Sequence, residues 1–111
     1  ILGRLAEQAS DAQAVIAEQA ARLLKECELP RAGEMLVFKA TRLRDTHCHV
    51  VREMFRLVWQ REGWSTAGMT FDDWTRLNDL VHDEAAINLA GNVMARRHGT
   101  VIQVRRVLRQ C

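Results

Sequence analysis

Two turn signals divide the stretch from Ala86 to Leu108, AINLAGNVMARRHGTVIQVRRVL, into short apolar runs, and this punctuation constrains the fold more than any other feature of the chain. Gly91-Asn92 and His98-Gly99 are two-residue signals of the kind that join neighbouring antiparallel strands. A three-stranded meander is therefore expected here, with strands over 92–97 and 100–108 in its last hairpin. Alternation in the final strand puts Ile102, Val104, Arg106 and Leu108 on one side and Val101, Gln103, Arg105 and Val107 on the other. Alternation alone leaves the core side open; the Ile102 side is the expected one, with Arg106 near an edge.

Upstream the period changes from two to that of a helix. Leu2, Leu5, Ala6, Ala9, Ala12, Ile16, Ala20, Leu23, Leu24 and Cys27 return at steps of three and four, which predicts one long amphipathic helix over 1–27. Gln19 and Glu26 interrupt a strict coiled-coil seam, so packing within the domain is expected in preference to a coiled coil. Pro30 and Gly33 end the helix and open a turn, and residues 34–39, EMLVFK, suit a short strand. A second helix is predicted from Asp45 to about Arg61, with His47, Val51, Met54, Phe55 and Val58 on its inner face, Cys48 and Trp59 beside it, and His49, Arg52 and Arg56 opposite. A glycine-bounded loop, residues 63–68, precedes a third helix. There Thr70 and Asp73 are spaced as a cap, Met69 and Trp74 as a hydrophobic staple, and Trp74, Leu77 and Val81 as an inner stripe. The predicted fold class is α+β: a long N-terminal helix, a short strand, two further helices, then the antiparallel meander.

The 111 residues fit one domain. Ile1 lies inside a helical pattern and Cys111 follows a strand directly, so a piece of a longer protein is expected. No apolar run approaches the ~18 residues of a membrane span. Three widely spaced cysteines without a C-x-x-C pair imply neither a disulfide framework nor a zinc knuckle, and point to the cytoplasm. His47-Cys48-His49 has suitable zinc ligands, but residues two apart on a helix diverge, so a buried Cys48 and no metal site are expected. Neither an oxyanion loop nor a glycine-rich phosphate loop accompanies a candidate nucleophile, and no catalytic site is expected. The tryptophans at 59, 64 and 74 fit a shared core cluster, with Trp64 the one that could stack on a base.

Net charge is only +2, but its distribution is uneven. Residues 31–61 hold seven basic and three acidic side chains, 62–90 one and six, and 91–111 five and none. A fold that brings the two basic blocks together makes a patch that the total conceals. Arginine suits phosphate because its planar fork donates two hydrogen bonds at once. On composition alone, an anion-binding surface and a solvated face with internal ion pairs are equally consistent with these blocks.

The runs LRDTHCHVVREMFRLVWQREGW, MTFDDWTRLNDLV and AINLAGNVMARRHGTVIQV, in that order, resemble the domain that follows the catalytic domain in bacterial tRNA(Ile)-lysidine synthetases. The resemblance rests on Leu43-Arg44, Arg52 and the turn Leu89-Ala90-Gly91-Asn92, and the helix over 1–27 is similar to that family's connecting helix. Two positions depart from the family turn, Ala90 in place of proline and Asn92 in place of glycine; asparagine tolerates left-handed backbone. The resemblance implies a parent ligase that uses ATP, with Mg, to adenylate the wobble cytidine of an isoleucine tRNA with a CAU anticodon, after which lysine displaces AMP. The serine-glycine-glycine-x-aspartate-serine loop of that chemistry is not in this sequence, so the resemblance implies an accessory tRNA-recognition domain, itself without catalysis or cofactor. Its partners would be tRNA(Ile) and an upstream catalytic domain, with a possible homodimer of the parent. The candidate RNA contacts are Arg44 and Arg52, at family positions, and Arg42, Arg56, Arg96 and Arg97, from charge placement. The alternative is a module that docks on a neighbouring domain or subunit through its long helix and acidic third helix.

Overall fold

The computed structural model describes residues 2–107, with side chains from residue 12 onward. Helix α1 (Leu2–Cys27) leads into a hairpin of β1 (Glu28–Ala32) and β2 (Met35–Lys39). Three helices follow, α2 (Ala40–Arg44), α3 (Cys48–Glu62) and α4 (Phe71–Asp79), and then the meander β3 (Ala86–Leu89), β4 (Val93–His98) and β5 (Val101–Arg106). The result is mixed helix and sheet, with one five-stranded antiparallel sheet in the order β1-β2-β5-β4-β3. The predicted meander is present as one side of that sheet, and β5 closes against β2, joining the two hairpins.

Strand register sorts side chains onto two faces. Leu36, Val104, Ala95 and Ile87 face one another across four strands, and Phe38 and Ile102 share the adjacent row on the same side. This inner side is buried beneath the helices: Ala20, Leu23 and Cys27 of α1 and Val51, Met54, Phe55 and Val58 of α3 complete a single core with it. Phe38 meets Phe55 edge-on, with ring centroids 5.7 Å apart. Trp59 is fully buried and takes Trp64 and Trp74 against its ring at 5.0 and 5.3 Å. The three tryptophans thus tie α3, the following loop and α4 together, and Trp64 is half-buried among them.

Local chemistry explains the helix ends. Thr70 accepts from the Asp73 amide at 3.2 Å while the Asp73 carboxylate accepts from the Thr70 amide at 3.0 Å, the reciprocal cap expected from the sequence. Gly63 ends α3 at φ 73°, a left-handed conformation that a side chain resists. In the β3–β4 turn both Gly91 (φ 76°) and Asn92 (φ 63°) are left-handed, so asparagine does serve where a second glycine would.

Several expectations are corrected. Residues 28–32, including Pro30, form an edge strand and not a turn; proline is tolerated there because an edge strand need not donate on its open side. Residues 40–44 form a short helix that their sequence gives no period to reveal. His47 is the N-cap of α3, its ring accepting from the His49 amide at 3.2 Å, and so does not join the inner face. Cys48, expected to be buried, is exposed at the first position of that helix. His98 pairs with Val101, which moves the last turn one residue along to Gly99-Thr100. Ile102 and Val104 face the core as expected, and the expectations for Leu108 and Cys111 lie outside the described residues.

An ionic cluster fastens the edge strand β1 to the end of α3. Arg31 donates to Glu62 at 2.6 Å, and Arg61 bridges Glu62 at 2.9 Å and Glu28 at 2.6 Å. The Arg31 hydrogen bond, with help from Arg61, holds the Glu62 carboxyl below its usual range against the opposing effect of burial. A depressed folded pKa contributes stability that is present above the unfolded value and lost as pH falls through the folded one. Unfolding free energy measured in urea should therefore decline as pH falls below about 4.5, and Glu62→Gln should flatten that decline while lowering stability at neutral pH. Burial also pushes the Cys27 thiol up to about 11. A thiol reagent at pH 8, followed by peptide mapping, should modify exposed Cys48 in the folded protein and reach Cys27 only after unfolding.

Candidate nucleic-acid interface

The six candidate arginines do not converge on one patch. Arg42 on α2 donates to Glu26 of α1 at 2.7 Å, and that carboxylate raises the guanidinium's pKa further. Arg56 lies 3.4 Å from Glu53 on the same helix. Arg44 and Arg97 come from distant parts of the chain to donate to a single acceptor, the Val81 carbonyl, at 3.1 and 2.9 Å. That carbonyl belongs to the turn that ends α4, where the helix dipole is negative, so two cations there hold the helix end against α2 and β4. The Arg97 Nε is buried without a hydrogen-bond partner, and the side chain as a whole is partly buried.

Arg96 is directed the other way. Its row across the sheet is Leu29, Val37, Gln103, Arg96 and Ala86, on the side opposite the helices. The neighbouring rows on that side carry Lys39, Val101 and His98, and Met35, Arg105, Met94 and Asn88. At their strand positions these outer rows hold two arginines, a lysine and a histidine and no carboxylate; Glu84, just before β3, accepts from the Gly99 amide at 2.7 Å at the rim. Arg96 donates only to the Gln103 amide oxygen, at 3.2 Å, and neither it nor Arg105 has a carboxylate partner among the described residues. Met35, Met94, Ala86 and Gln103 floor a depression of about 360 Å³ between these two arginines. Helix-side arginines 31, 42, 56, 61 and 76, by contrast, all have acidic neighbours within 4.0 Å.

Arg52 occupies a third place. On the solvent side of α3 it donates to His49 Nδ1 at 2.6 Å and lies 5.2 Å over the ring of Phe71, the first residue of α4. Charge counting includes Lys39 and Arg105 in the two basic blocks without singling them out as candidates, and it leaves out His98 and Phe71. The alternation that assigned Arg105 to the side away from Ile102 contained the signal for the sheet face, whereas Phe71 could be found only by noticing that the inner stripe of α4 leaves it out.

Among the described residues no group of three or more histidine, cysteine or carboxylate side chains is placed to hold a metal ion. His47 and His49 do come together, with rings stacked at 5.0 Å, because His47 caps the helix and is not part of its spiral. No helix among these residues is long and apolar enough to cross a membrane. No family model matches the chain, and no curated protein matches its sequence.

The shared carbonyl predicts a coupled pair. Arg97→Met should lower unfolding free energy by about 1.5–3 kcal/mol, the range for a hydrogen bond to a charged group. Arg44→Met should cost less because its side chain is more exposed. In a double-mutant cycle followed by urea unfolding, the two losses should fail to add.

Proposed function

We propose that this chain is the tRNA-recognition domain of an ATP-dependent ligase that joins lysine to the wobble cytidine of an isoleucine tRNA with a CAU anticodon. One observation supports an RNA partner above the rest: the outward strand positions of the sheet carry Lys39, Arg96, His98 and Arg105 and no carboxylate, while Glu84 at the rim beside them is taken up by the Gly99 amide at 2.7 Å. A polyanion gains there what internal ion pairs already supply to most of the other arginines. Apolar Met35 and Met94 between the cations leave room for sugar and base edges, while phosphate contacts position the strand. The order of the motifs around Leu43-Arg44, Arg52 and Gly91-Asn92 supports the particular ligase. In this reading catalysis, with ATP, Mg and lysine, belongs to an upstream domain in the cytoplasm, and the present chain holds the substrate.

Arg96 remains an RNA contact in this reading and Arg105, Lys39 and His98 join it. Arg44 and Arg97 shape the support behind the sheet, and Arg42 stays with Glu26. A second reading, docking on a neighbouring domain or a second copy of the parent, draws on Val15, which is 52% exposed on the solvent side of α1.

Binding of the CAU-anticodon tRNA transcript, measured by fluorescence anisotropy across a salt series, tests the choice. Log affinity should fall linearly with log salt, and Arg96→Ala and Arg105→Ala should each reduce the slope by about 1. Arg42→Ala should leave it unchanged. An unaltered slope in the double variant would remove the sheet face from the interface, and no binding at low salt would favour docking.

A further inference from the structure

On the far side of the helices from the sheet, α3 and α4 flank an open cleft of about 450 Å³ whose walls include His49, Arg52, Glu53, Arg56, Phe71 and Trp74. Phe71 has no role in the core. It is 73% exposed, the inner side of α4 is supplied by Leu77, and the helix is capped by Thr70 and Asp73. A large aromatic ring left in solvent forgoes burial worth about 2 kcal/mol. The cation over its ring is Arg52, itself aimed by the 2.6 Å bond to His49. Arg52 has no carboxylate partner among the described residues, and Arg56 has only the long 3.4 Å contact to Glu53.

We infer that this cleft seats one unpaired nucleotide, its base stacked on Phe71 and its phosphate beside Arg52 and Arg56. The inference rests on the RNA reading and adds to it a base contact, which the sheet face does not offer because its described outer rows contain no phenylalanine or tryptophan. A flat ring beside available guanidinium groups matches the two parts of a nucleotide at once: any base has a π-face for the ring, and its phosphate accepts from the guanidinium fork. Glu53 on the same wall can accept from an exocyclic amine. An acidic peptide would answer the arginines but would leave the ring without a planar partner. Trp74 contributes an apolar floor from its place against Trp59.

The same chemistry is present in a strand of RNA and in a free nucleotide, and two arms separate them. In one, a short single-stranded RNA carrying 2-aminopurine is titrated with the full chain, and fluorescence quenching reports stacking. In the other, AMP is added as a competitor. Phe71→Leu, which keeps an apolar side chain of similar reach, should weaken binding by about tenfold and abolish the quenching, whereas Phe71→Tyr should retain both. Arg52→Ala should weaken binding with the base still stacked. Displacement by AMP at millimolar concentration would assign the cleft to free nucleotide, and its failure to compete would assign it to a strand; both outcomes support a nucleotide site. Thermal unfolding of each variant distinguishes a packing role, which would lower stability and leave affinity alone. RNA bound with a steep salt dependence through Arg96 and Arg105, yet equally well and equally quenched by Phe71→Leu, would overturn the cleft and leave the sheet reading standing. Absence of RNA binding to the wild-type chain would overturn both.

Discussion

The burial of one face of the sheet beneath α1 and α3 is the constraint on which the rest of the molecule depends. Leu36, Phe38, Ile102 and Val104 reach solvent nowhere, and neither do Ala20 and Cys27 from α1 or Met54, Phe55 and Val58 from α3. Their removal from water is the main favourable term available to a domain of this size, because backbone hydrogen bonds largely exchange one partner for another. A single covered face also makes strand register consequential: a shift by one residue would put Phe38 in water and Lys39 in the core. The edge-on contact of Phe38 with Phe55 and the closing pair of β2 with β5 hold that register from two directions.

One consequence is that neighbours in sequence have opposite fates. Arg96 and Arg97 are adjacent, equally charged and on the same strand, yet the pleat sends Arg96 to the open face and Arg97 beneath the sheet to the Val81 carbonyl. The second serves architecture, since with Arg44 it joins the end of α4 to both α2 and β4. The first is left with an amide for company. Functional charge in such a fold is therefore identified by what the fold leaves unpaired, and a run of basic residues is informative only after its ion pairs have been subtracted.

Much of the architecture was legible because it has a period. The long helix, the strand around Val37, the α3 stripe of Val51, Met54, Phe55 and Val58 and the Thr70 cap all follow from local pattern, and each has its counterpart in the structure; alternation divided the last strand into two faces, and the packing of the helices chose the Ile102 face as the core side. What escaped depends on contacts between distant residues. Glu28–Ala32 is a strand because β2 lies beside it and because Arg31 and Arg61 pin it to α3, although Pro30 argues locally for a turn. Residues 40–44 are too few to show a helical repeat. The candidate site was less legible still, because Arg42, Arg44 and Arg97 look alike in sequence to Arg96 and are distinguished only by Glu26 and the Val81 carbonyl.

The two basic places left open by the fold lie on opposite sides of a two-layer domain, the sheet face on one and the Arg52–Phe71 cleft on the other. Because the two places face opposite ways, a straight helix lying on the sheet cannot also reach the cleft. A strand that leaves a duplex can, since its backbone is free to turn and an unpaired base is the one able to stack on Phe71. Under the proposed RNA reading, this arrangement would suit an RNA with a stem for the cations of the sheet and a single-stranded segment that passes round the edge of the domain. A tRNA has both, and in that reading the combination would be more selective than either surface alone, because geometry would have to satisfy phosphate contacts on one side and a stacked base on the other.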